Sequence, residues 1–206
     1  VRTLLVKEGP GRLGSQMRMA FAFALDEGYD GIVTIDGNNK DDPAAIPSFL
    51  VALDEGFDHV QGSRFVPGGR GIRTPLDRRL AVKMIHAPLV RAASGFRYTD
   101  TTNGFRAYSR RLLEDNRVAP FRDVFSGYEL HYYLAIRAAR LGFRVVEIPV
   151  TREYPATGKT PTKISPWRGR AQDLKALLSA CLNRVDPQES GSPSAGRSAT
   201  EEVRDG

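Results

Sequence analysis

The feature that most constrains the fold is a continuous apolar run, GIVTI at residues 31–35, which ends directly in Asp36. An apolar run of this length without alternation is typical of a strand that helices cover on both faces of a parallel sheet. Amphipathic helices are predicted on both sides of it, at residues 15–27 and 43–55, and a glycine follows each helix. This alternation predicts an α/β domain with a mostly parallel, Rossmann-like sheet and flanking helices.

The remaining predicted elements continue the pattern along the chain. One long helix should kink at Pro88, since proline cannot donate a helical hydrogen bond. The full set consists of strands at residues 1–6, 58–62 and 144–150, a strand or turn at 103–108, a loop at 67–77, and helices at 78–94, 128–141 and 167–185.

The 206 residues suffice for one domain, which we place at residues 1–185. Residues 186–206 consist mostly of Ser, Gly, Pro and charged residues, and this composition predicts a disordered polar tail. No apolar run approaches the ~18 residues that a membrane span needs. The single cysteine, Cys181, excludes an internal disulfide framework and fits a reducing compartment.

The formal net charge of +6 is unevenly distributed. Residues 186–206 carry five acidic side chains and two arginines, so residues 1–185 carry +9. Such an excess attracts polyanions, among them nucleoside diphosphates, anionic lipids and nucleic acid. Nucleic acid is not expected, because the basic residues are not interleaved with aromatic ones and no nucleic-acid-binding motif is present.

Two strand ends carry polar sequences that would open onto one crevice, where ligands collect in α/β sheets. After the first strand, Asp36 and Asn38 supply oxygen ligands with which Mg²⁺ or Mn²⁺ could bridge to a diphosphate. Turn formation and helix capping explain Asn38, Asp41 and Asp42, but they do not require an acid at position 36. After the second strand, Arg64 could bind the same diphosphate through its planar fork of donors.

The sequence DTTNGFR forms a third polar cluster. Gly104 permits a tight turn that would aim Asp100 and Asn103 into a site, where Asp100 could act as a general base on an acceptor hydroxyl. An ordinary Asn-Gly turn with Asp100 as a local cap explains the same residues equally well.

Further candidates follow from residue type and position. Glu129 lies near the start of a predicted helix, and Lys159 and Lys163 lie on the sequence KTPTK. The two lysines could clamp a phosphate or belong to an ordinary exposed loop. His59 and His86 have no ligand partner at a metal-binding spacing, so we expect both to be structural.

In order along the chain, these segments resemble the family 2 glycosyltransferases, in particular the branch of dolichol-phosphate mannosyltransferase and of bacterial polyprenyl-phosphate or polysaccharide glycosyltransferases. Five segments within about residues 1–167 carry the resemblance: GIVTIDGNNKDDP, DHVQGSRF, DTTNGFRAYS, GFRVVEIPV and KTPTKIS. The resemblance implies a GT-A fold, a GDP- or UDP-linked sugar donor, inversion at the anomeric carbon, and Mg²⁺ or Mn²⁺ as cofactor.

The resemblance also implies roles for individual residues. Asp36 matches the first acid of the family's Asp-x-Asp motif, and Asn38 falls at the second acid, normally the direct metal ligand. At this position the chain therefore has a neutral amide, Asn38, where family members have a charged carboxylate. On the donor side the other matches are Arg64 and Lys163, with Lys159 beside it. On the acceptor side they are Asp100, Asn103, Gly104, Phe105 and Arg106, and Glu129 matches a recurring helix acid of unassigned role.

The implied activity is transfer of a sugar to a polyprenyl phosphate or a cell-envelope glycan, in the cytoplasm or at the inner face of the cell membrane. A hydroxyl acceptor would need Asp100 as base, whereas a lipid phosphate would need it only for positioning. The helix at residues 78–94 could then rest on an anionic membrane. The alternative is a catalytically inactive module that binds a nucleotide sugar or another polyanion.

The front of the chain departs from the family pattern. Family members open with one strand that ends in an Asn-Glu pair and a second that ends in paired acids, and neither occurs here. We therefore expect a βαβ unit of ~30 residues or more to precede Val1.

Overall fold

The computed structural model describes residues 3–156 and 166–187. Its elements in chain order are α1 (Leu13–Asp26), β1 (Gly31–Thr34), a 3₁₀ turn (Pro43–Ala45), α2 (Ile46–Asp54), β2 (His59–Ser63), β3 (Arg70–Ile72), α3 (Leu76–Ala81), a π-helical turn (Val82–His86), α4 (Ala87–Ser94), β4 (Arg106–Ser109), α5 (Arg110–Glu114), α6 (Glu129–Arg140), β5 (Val145–Pro149), β6 (Thr151–Glu153) and α7 (Pro166–Cys181).

The central sheet has four strands in the order β1–β4–β2–β5. β4 runs antiparallel to both of its neighbours, and β2 and β5 are parallel. Three of the four strands therefore share one direction, which confirms the mostly parallel α/β sheet. The segment expected to be a strand or turn at residues 103–108 supplies β4, the antiparallel strand inside the sheet.

Helices cover both faces of this sheet, as the apolar run of β1 predicts. On one face, α1, α4, α6 and α7 pack around buried residues such as Phe21, Leu134 and Leu177. On the other face, Phe49 of α2 stacks on Phe105 with ring centroids 4.3 Å apart. Asp42 accepts a hydrogen bond from the amide of Ala44 at 3.0 Å, so its capping role is confirmed.

Two local expectations are corrected. Residues 3–6 form no strand, because Leu4 and Val6 are exposed and no described strand pairs with them. Within the expected loop at 67–77, β3 pairs in parallel with β6 to form a separate two-stranded sheet. β6 follows β5 directly and so brings its residues to the end of the main sheet.

The expected kink at Pro88 takes the form of the π-helical turn that precedes it. Pro88 has no amide hydrogen for the carbonyl of Met84, and a wider turn accommodates the missing bond. α4 buries Ala87 and Val90, whereas α3 buries none of its residues.

His59 is fully buried in the interior. This agrees with the expectation that it is a structural residue. Tyr98 donates its hydroxyl hydrogen to the carbonyl of Ala135 at 2.9 Å, so His59 Nδ1, 3.3 Å from the same hydroxyl, is the protonated nitrogen. His59 Nε2 is buried and has no hydrogen-bond partner among the described residues. Burial and the charge of Arg106 hold the pKa of His59 well below its usual value.

We expect acid to destabilise the fold through His59. As the pH falls below about 6.5, the unfolded chain binds a proton at this position that the folded chain does not bind. The free energy of unfolding should therefore fall by up to about 1.4 kcal/mol per pH unit from this residue. Urea unfolding of the wild type and of His59→Gln between pH 7.5 and pH 5.5 measures the difference in slope, and equal slopes would contradict the assignment.

Candidate active site

The candidate site lies where the carboxyl ends of β1, β2 and β5 meet. Asp36 follows β1, Arg64 follows β2, and Arg152 and Tyr154 follow β5 by way of β6. Thr34 donates to the carbonyl of Gly104 at 3.1 Å, which fixes the loop before β4 beside the end of β1. The shared strand direction thus brings together polar residues that are far apart in the sequence.

Arg152 binds the two acids that follow β1. Its Nη2 lies 3.0 Å from Asp36 Oδ2, and its Nη1 donates to Asp41 Oδ2. Burial alone would lower the pKa of Arg152, but the charges of Asp41 and Asp36 outweigh it and raise the pKa above its usual value. Arg152 therefore remains a cation, and neither the motifs nor the periodicity of the sequence pointed to it.

The residues present fit a divalent cation that takes a single carboxylate ligand from the protein. Asp36 retains Oδ1, and Mg²⁺ or Mn²⁺ needs only one or two protein carboxylates when phosphate oxygens supply other ligands. Asn38 is placed differently, because its Nδ2 donates to Asp36 Oδ2 at 3.2 Å and its Oδ1 accepts from the amide of Lys40 at 3.3 Å. No group of three His, Cys, Asp or Glu side chains converges within residues 3–156 and 166–187. The geometry thus favours Asp36 over Asn38 as the metal ligand.

Arg64 and Asp100 form a buried, bidentate ion pair. Arg64 Nε lies 2.6 Å from Asp100 Oδ2, and Arg64 Nη2 lies 2.8 Å from Asp100 Oδ1. Asp100 is fully buried, and Arg64 is 4% exposed. Burial lowers the pKa of Arg64, but the hydrogen bonds and charge of Asp100 outweigh it and raise the pKa above its usual value.

This pairing bears on the expected base role of Asp100. Both carboxylate oxygens bind Arg64, and Glu147 holds the backbone on either side by accepting from the amides of Thr99 at 2.9 Å and Asp100 at 3.0 Å. A general base needs a lone pair that faces its substrate. The geometry therefore favours Asp100 as a positioning residue over Asp100 as a base.

Two further residues of the DTTNGFR segment, Asn103 and Gly104, lie beside the acids and arginines of the site. Gly104 leaves room for the site, because a methyl group there would lie 2.5 Å from Asp36 Oδ1. Asn103 is buried, with Oδ1 accepting from the amide of Phe105 at 3.0 Å and Nδ2 without a partner among the described residues. Gly104 therefore borders Asp36, and Asn103 borders Arg152, whose Nη1 lies 3.4 Å from Asn103 Oδ1.

Arg106 does not face an acceptor, which corrects its expected role. It is 1% exposed, and its guanidinium donates to the carbonyls of Thr101, Asn103 and His131. A buried arginine that binds three backbone carbonyls fixes the loop against α6. Arg106 is therefore a positioning residue for the loop that carries Asp100 and Asn103.

Four cationic side chains gather around Tyr154. Arg78 Nη1 lies 3.2 Å and Arg64 Nη1 3.5 Å from its hydroxyl, and Lys40 Nζ lies 5.2 Å from the ring centroid. The charge of Arg152 also acts on it, so that the arginines outweigh burial and lower the pKa of Tyr154 below its usual value. Within the described part of the chain, Lys40 and Arg78 form no ion pair. This cluster therefore carries positive charge suited to an anionic ligand.

Three predicted site residues add little to this geometry. Glu129, at the first residue of α6, accepts from the amide of Gly127 at 2.8 Å, a local contact that leaves its acceptor-side role a prediction. Lys159 and Lys163 lie outside the described residues, as does most of the predicted tail.

Relatives with assigned names are similar to about two thirds of this chain. An undecaprenyl-phosphate mannosyltransferase of Micrococcus luteus is 34% identical over 140 residues, which cover 68% of this chain and 56% of that protein. A polyprenol monophosphomannose synthase of Mycolicibacterium smegmatis is 34% identical over 139 residues, covering 68% of this chain and 51% of that protein. The chain thus spans about half the length of the curated relatives it matches. No family model matches it.

The fold also has solved counterparts. A structure of glucosyl-3-phosphoglycerate synthase from Mycobacterium tuberculosis with Mn²⁺, UDP and glucosyl-3-phosphoglycerate superimposes with a TM-score of 0.53 at 20% identity, over 90% of this chain and 59% of that one. The chain accordingly has the GT-A fold and is a glycosyltransferase by class. Within that class, the relatives show that it belongs to family 2, in the branch similar to dolichol-phosphate mannosyltransferase.

Breaking the buried ion pair of Arg64 and Asp100 should destabilise the fold strongly. We expect Asp100→Ala to lower the free energy of unfolding by about 3–5 kcal/mol, because it leaves a buried guanidinium unpaired. Glu114→Ala, which removes an acid from the exposed pair with Arg110, is the matched control and should cost less than about 1 kcal/mol. Chemical unfolding measures both, and equal losses would show that the buried pair has no special weight.

Proposed function

We propose that the protein transfers a sugar from a nucleoside-diphosphate donor to a polyprenyl phosphate, with inversion at the anomeric carbon. The observation that carries the proposal is the set of four cations around Tyr154, beside Asp36 at the ends of three co-directional strands. Donor and acceptor of this reaction are both phosphorylated, and both would be attracted to such a cluster of cations. The names of the relatives from Micrococcus luteus and Mycolicibacterium smegmatis support the polyprenyl-phosphate acceptor.

A phosphate acceptor also agrees with the state of Asp100. The phosphate oxygen is already anionic, so it can attack the anomeric carbon without losing a proton to a base. A new bond then forms between that oxygen and the anomeric carbon while the bond to the nucleoside diphosphate breaks on the opposite side, which inverts the configuration. Asp100 and Glu147 keep Arg64 in place during this step, and neither needs to accept a proton.

The leaving diphosphate needs its charge neutralised, and we assign this to two sources. Asp36 would hold Mg²⁺ or Mn²⁺, which neutralises phosphate oxygens when bound. Arg78 would supply a guanidinium group, since it binds no acid among the described residues, and the predicted phosphate contacts of Lys159 and Lys163 would add to it. The reaction would take place at the cytoplasmic face of the membrane, where a lipid-borne acceptor meets a dissolved donor.

Replacement of Asp36 tests the proposal most directly. With undecaprenyl phosphate as acceptor and GDP-mannose or UDP-glucose as donor, we expect acceptor-dependent release of nucleoside diphosphate. Asp36→Ala should lower its rate by about 100-fold or more, as the loss of one charge-stabilising group does in other enzymes. Asp42→Ala is the matched control, because Asp42 lies in the same loop and caps the 3₁₀ turn before α2. This variant should lose about 1 kcal/mol of stability and keep the wild-type rate.

The same assay separates the alternative function. Donor binding measured by calorimetry, with no release of nucleoside diphosphate from either donor under any acceptor condition, would indicate an inactive binding module and contradict the proposal.

The departure at Asn38 gives a further test. A carboxylate at this position would add a charged metal ligand beside Asp36, so we expect Asn38→Asp to lower the Mn²⁺ concentration for half-maximal rate by about tenfold. Titration of the chelated enzyme with Mn²⁺ measures the shift. An unchanged metal requirement would place the metal away from residues 36–38.

A further inference from the structure

One arginine lies between two acids of the loop that follows β1. The Nη2 of Arg152 lies 3.0 Å from Asp36 Oδ2, and its Nη1 binds Asp41 Oδ2. A single positive charge is therefore shared by two carboxylates. The side chain of Asp41 is fully buried, whereas that of Asp36 is 36% exposed, so only Asp36 is accessible to a ligand from solvent.

Backbone hydrogen bonds fix Arg152 beside these acids. The amide of Glu153 donates to the carbonyl of Lys40 at 2.7 Å. The amide of Asp42 donates to the carbonyl of Thr151 at 3.2 Å. These two bonds attach β6 to the loop on either side of Arg152. The guanidinium therefore stands beside the acids as a built part of the fold.

The two oxygens of Asp36 have different surroundings. Oδ2 accepts from Arg152 and, at 3.2 Å, from Asn38 Nδ2. Oδ1 accepts no hydrogen bond from the residues that the structure describes, and it faces the space that Gly104 leaves free. A divalent cation on Oδ1 would thus share one carboxylate with a guanidinium. Two cations at such short range repel each other strongly.

A second cation lies within electrostatic range of the same carboxylate. Lys40 is 6% exposed and forms no ion pair among the described residues. Burial, which is the main cause, and the charge of Arg152 lower the pKa of Lys40, whereas the charge of Asp36 acts in the opposite direction. The two cations and two acids of this cluster have formal charges that sum to zero. Such a cluster offers little net attraction to a divalent cation.

A diphosphate would change this balance. It brings negative charge, and its oxygens are the ligands that Mg²⁺ or Mn²⁺ combines with one or two protein carboxylates. Lys40 and Arg152 would be attracted to the same anion. The two side chains that oppose a metal ion alone therefore favour a metal ion that binds together with a diphosphate.

We propose that Arg152, assisted by Lys40, makes divalent-cation binding at Asp36 conditional on a bound diphosphate. Without the diphosphate, Arg152 occupies one oxygen of the carboxylate and repels the cation. With it, the added negative charge outweighs this repulsion. The choice of Asp36 as metal ligand rests on the proposed function, whereas the effect of Arg152 on metal affinity is measurable without glycosyl transfer.

Equilibrium dialysis against Mn²⁺ tests the proposal without a sugar donor or acceptor. It measures the ion bound to the protein, because free Mn²⁺ and its nucleotide complexes distribute equally across the dialysis membrane. The wild type should bind Mn²⁺ only when GDP or UDP is present. Arg152→Gln should bind Mn²⁺ without nucleotide at least about tenfold more tightly than the wild type, because the competing charge is gone. Arg152→Lys keeps a positive charge and should remain as weak as the wild type.

A second variant guards against a loss of folding. Arg152→Gln leaves the buried carboxylate of Asp41 without its cation, which destabilises the fold. The double variant Arg152→Gln, Asp41→Asn avoids the unpaired charge and keeps Asp36, so it should show the same gain in Mn²⁺ affinity. Adding Asp36→Ala to the double variant should abolish the gain. Circular dichroism and the melting midpoint verify that each variant is folded before its metal binding is compared.

The chain offers a matched control for the change in net charge. Arg117 is 61% exposed in its side chain and pairs with Asp115 at 2.7 Å. It lies 5.8 Å from the ring centroid of Phe143, which precedes β5, so it is at the edge of the sheet opposite the site. Arg117→Gln removes the same charge as Arg152→Gln and should bind Mn²⁺ as the wild type does.

Four results would overturn the proposal. They are wild-type binding of Mn²⁺ that is equally tight with and without nucleotide, no binding of Mn²⁺ by the wild type with either nucleotide, equal Mn²⁺ affinity of the wild type and both Arg152→Gln variants, and an equal gain in Arg117→Gln.

Turnover separates this proposal from the proposed function. A wild type that binds Mn²⁺ only with a nucleotide, but releases no nucleoside diphosphate from either sugar donor, would uphold the role of Arg152 and contradict the glycosyl transfer. A wild type that transfers sugar, but binds Mn²⁺ equally well without a nucleotide, would contradict the role of Arg152 alone.

Discussion

The site depends on the buried ion pair between Arg64 and Asp100. Removing two charges from water is costly, and only near-ideal geometry compensates for it. Here Asp100 receives two hydrogen bonds from the guanidinium, and its backbone amide donates to Glu147 of β5. The pair thereby fastens the loop before β4 to the ends of two strands. Asn103 and Gly104, which border Arg152 and Asp36, lie on that loop.

The second organising constraint is an excess of positive charge. Asp36, Asp41 and Asp100 are each bound to an arginine, so the acids of the site already have partners. Among the described residues, the Arg78 and Lys40 side chains form no ion pair and contact only Tyr154: Arg78 Nη1 donates to its hydroxyl at 3.2 Å, and Lys40 Nζ lies 5.2 Å from its ring centroid. Like charges at close range repel one another, and an anion bound among them would relieve that repulsion. The fold therefore stores part of the binding free energy for a phosphorylated ligand.

The location of the site could be predicted from the sequence, because the residues that follow parallel strands lie at one edge of the sheet. Asp36 and Arg64 follow β1 and β2 as expected, whereas Asp100 was expected from the turn-forming sequence before β4. Arg152 was missed because it pairs with Asp36 across 116 positions and carries no motif. Arg106 was misassigned because sequence cannot show that its guanidinium turns inward to three carbonyls. Local hydrophobic patterns predict helices and strands, but the hydrogen-bond partners of a long side chain depend on tertiary packing.

The position of β4 inside the sheet has a consequence for how the chain folds. Residues 31–34 and 59–63 each border β4, so the two earlier strands have no direct hydrogen bonds to each other. During synthesis they must wait for residues 106–109 to leave the ribosome before the sheet can close. Pairings at such separations form slowly and expose strand edges in the interval. The nascent domain is therefore most vulnerable to aggregation before its middle strand is inserted.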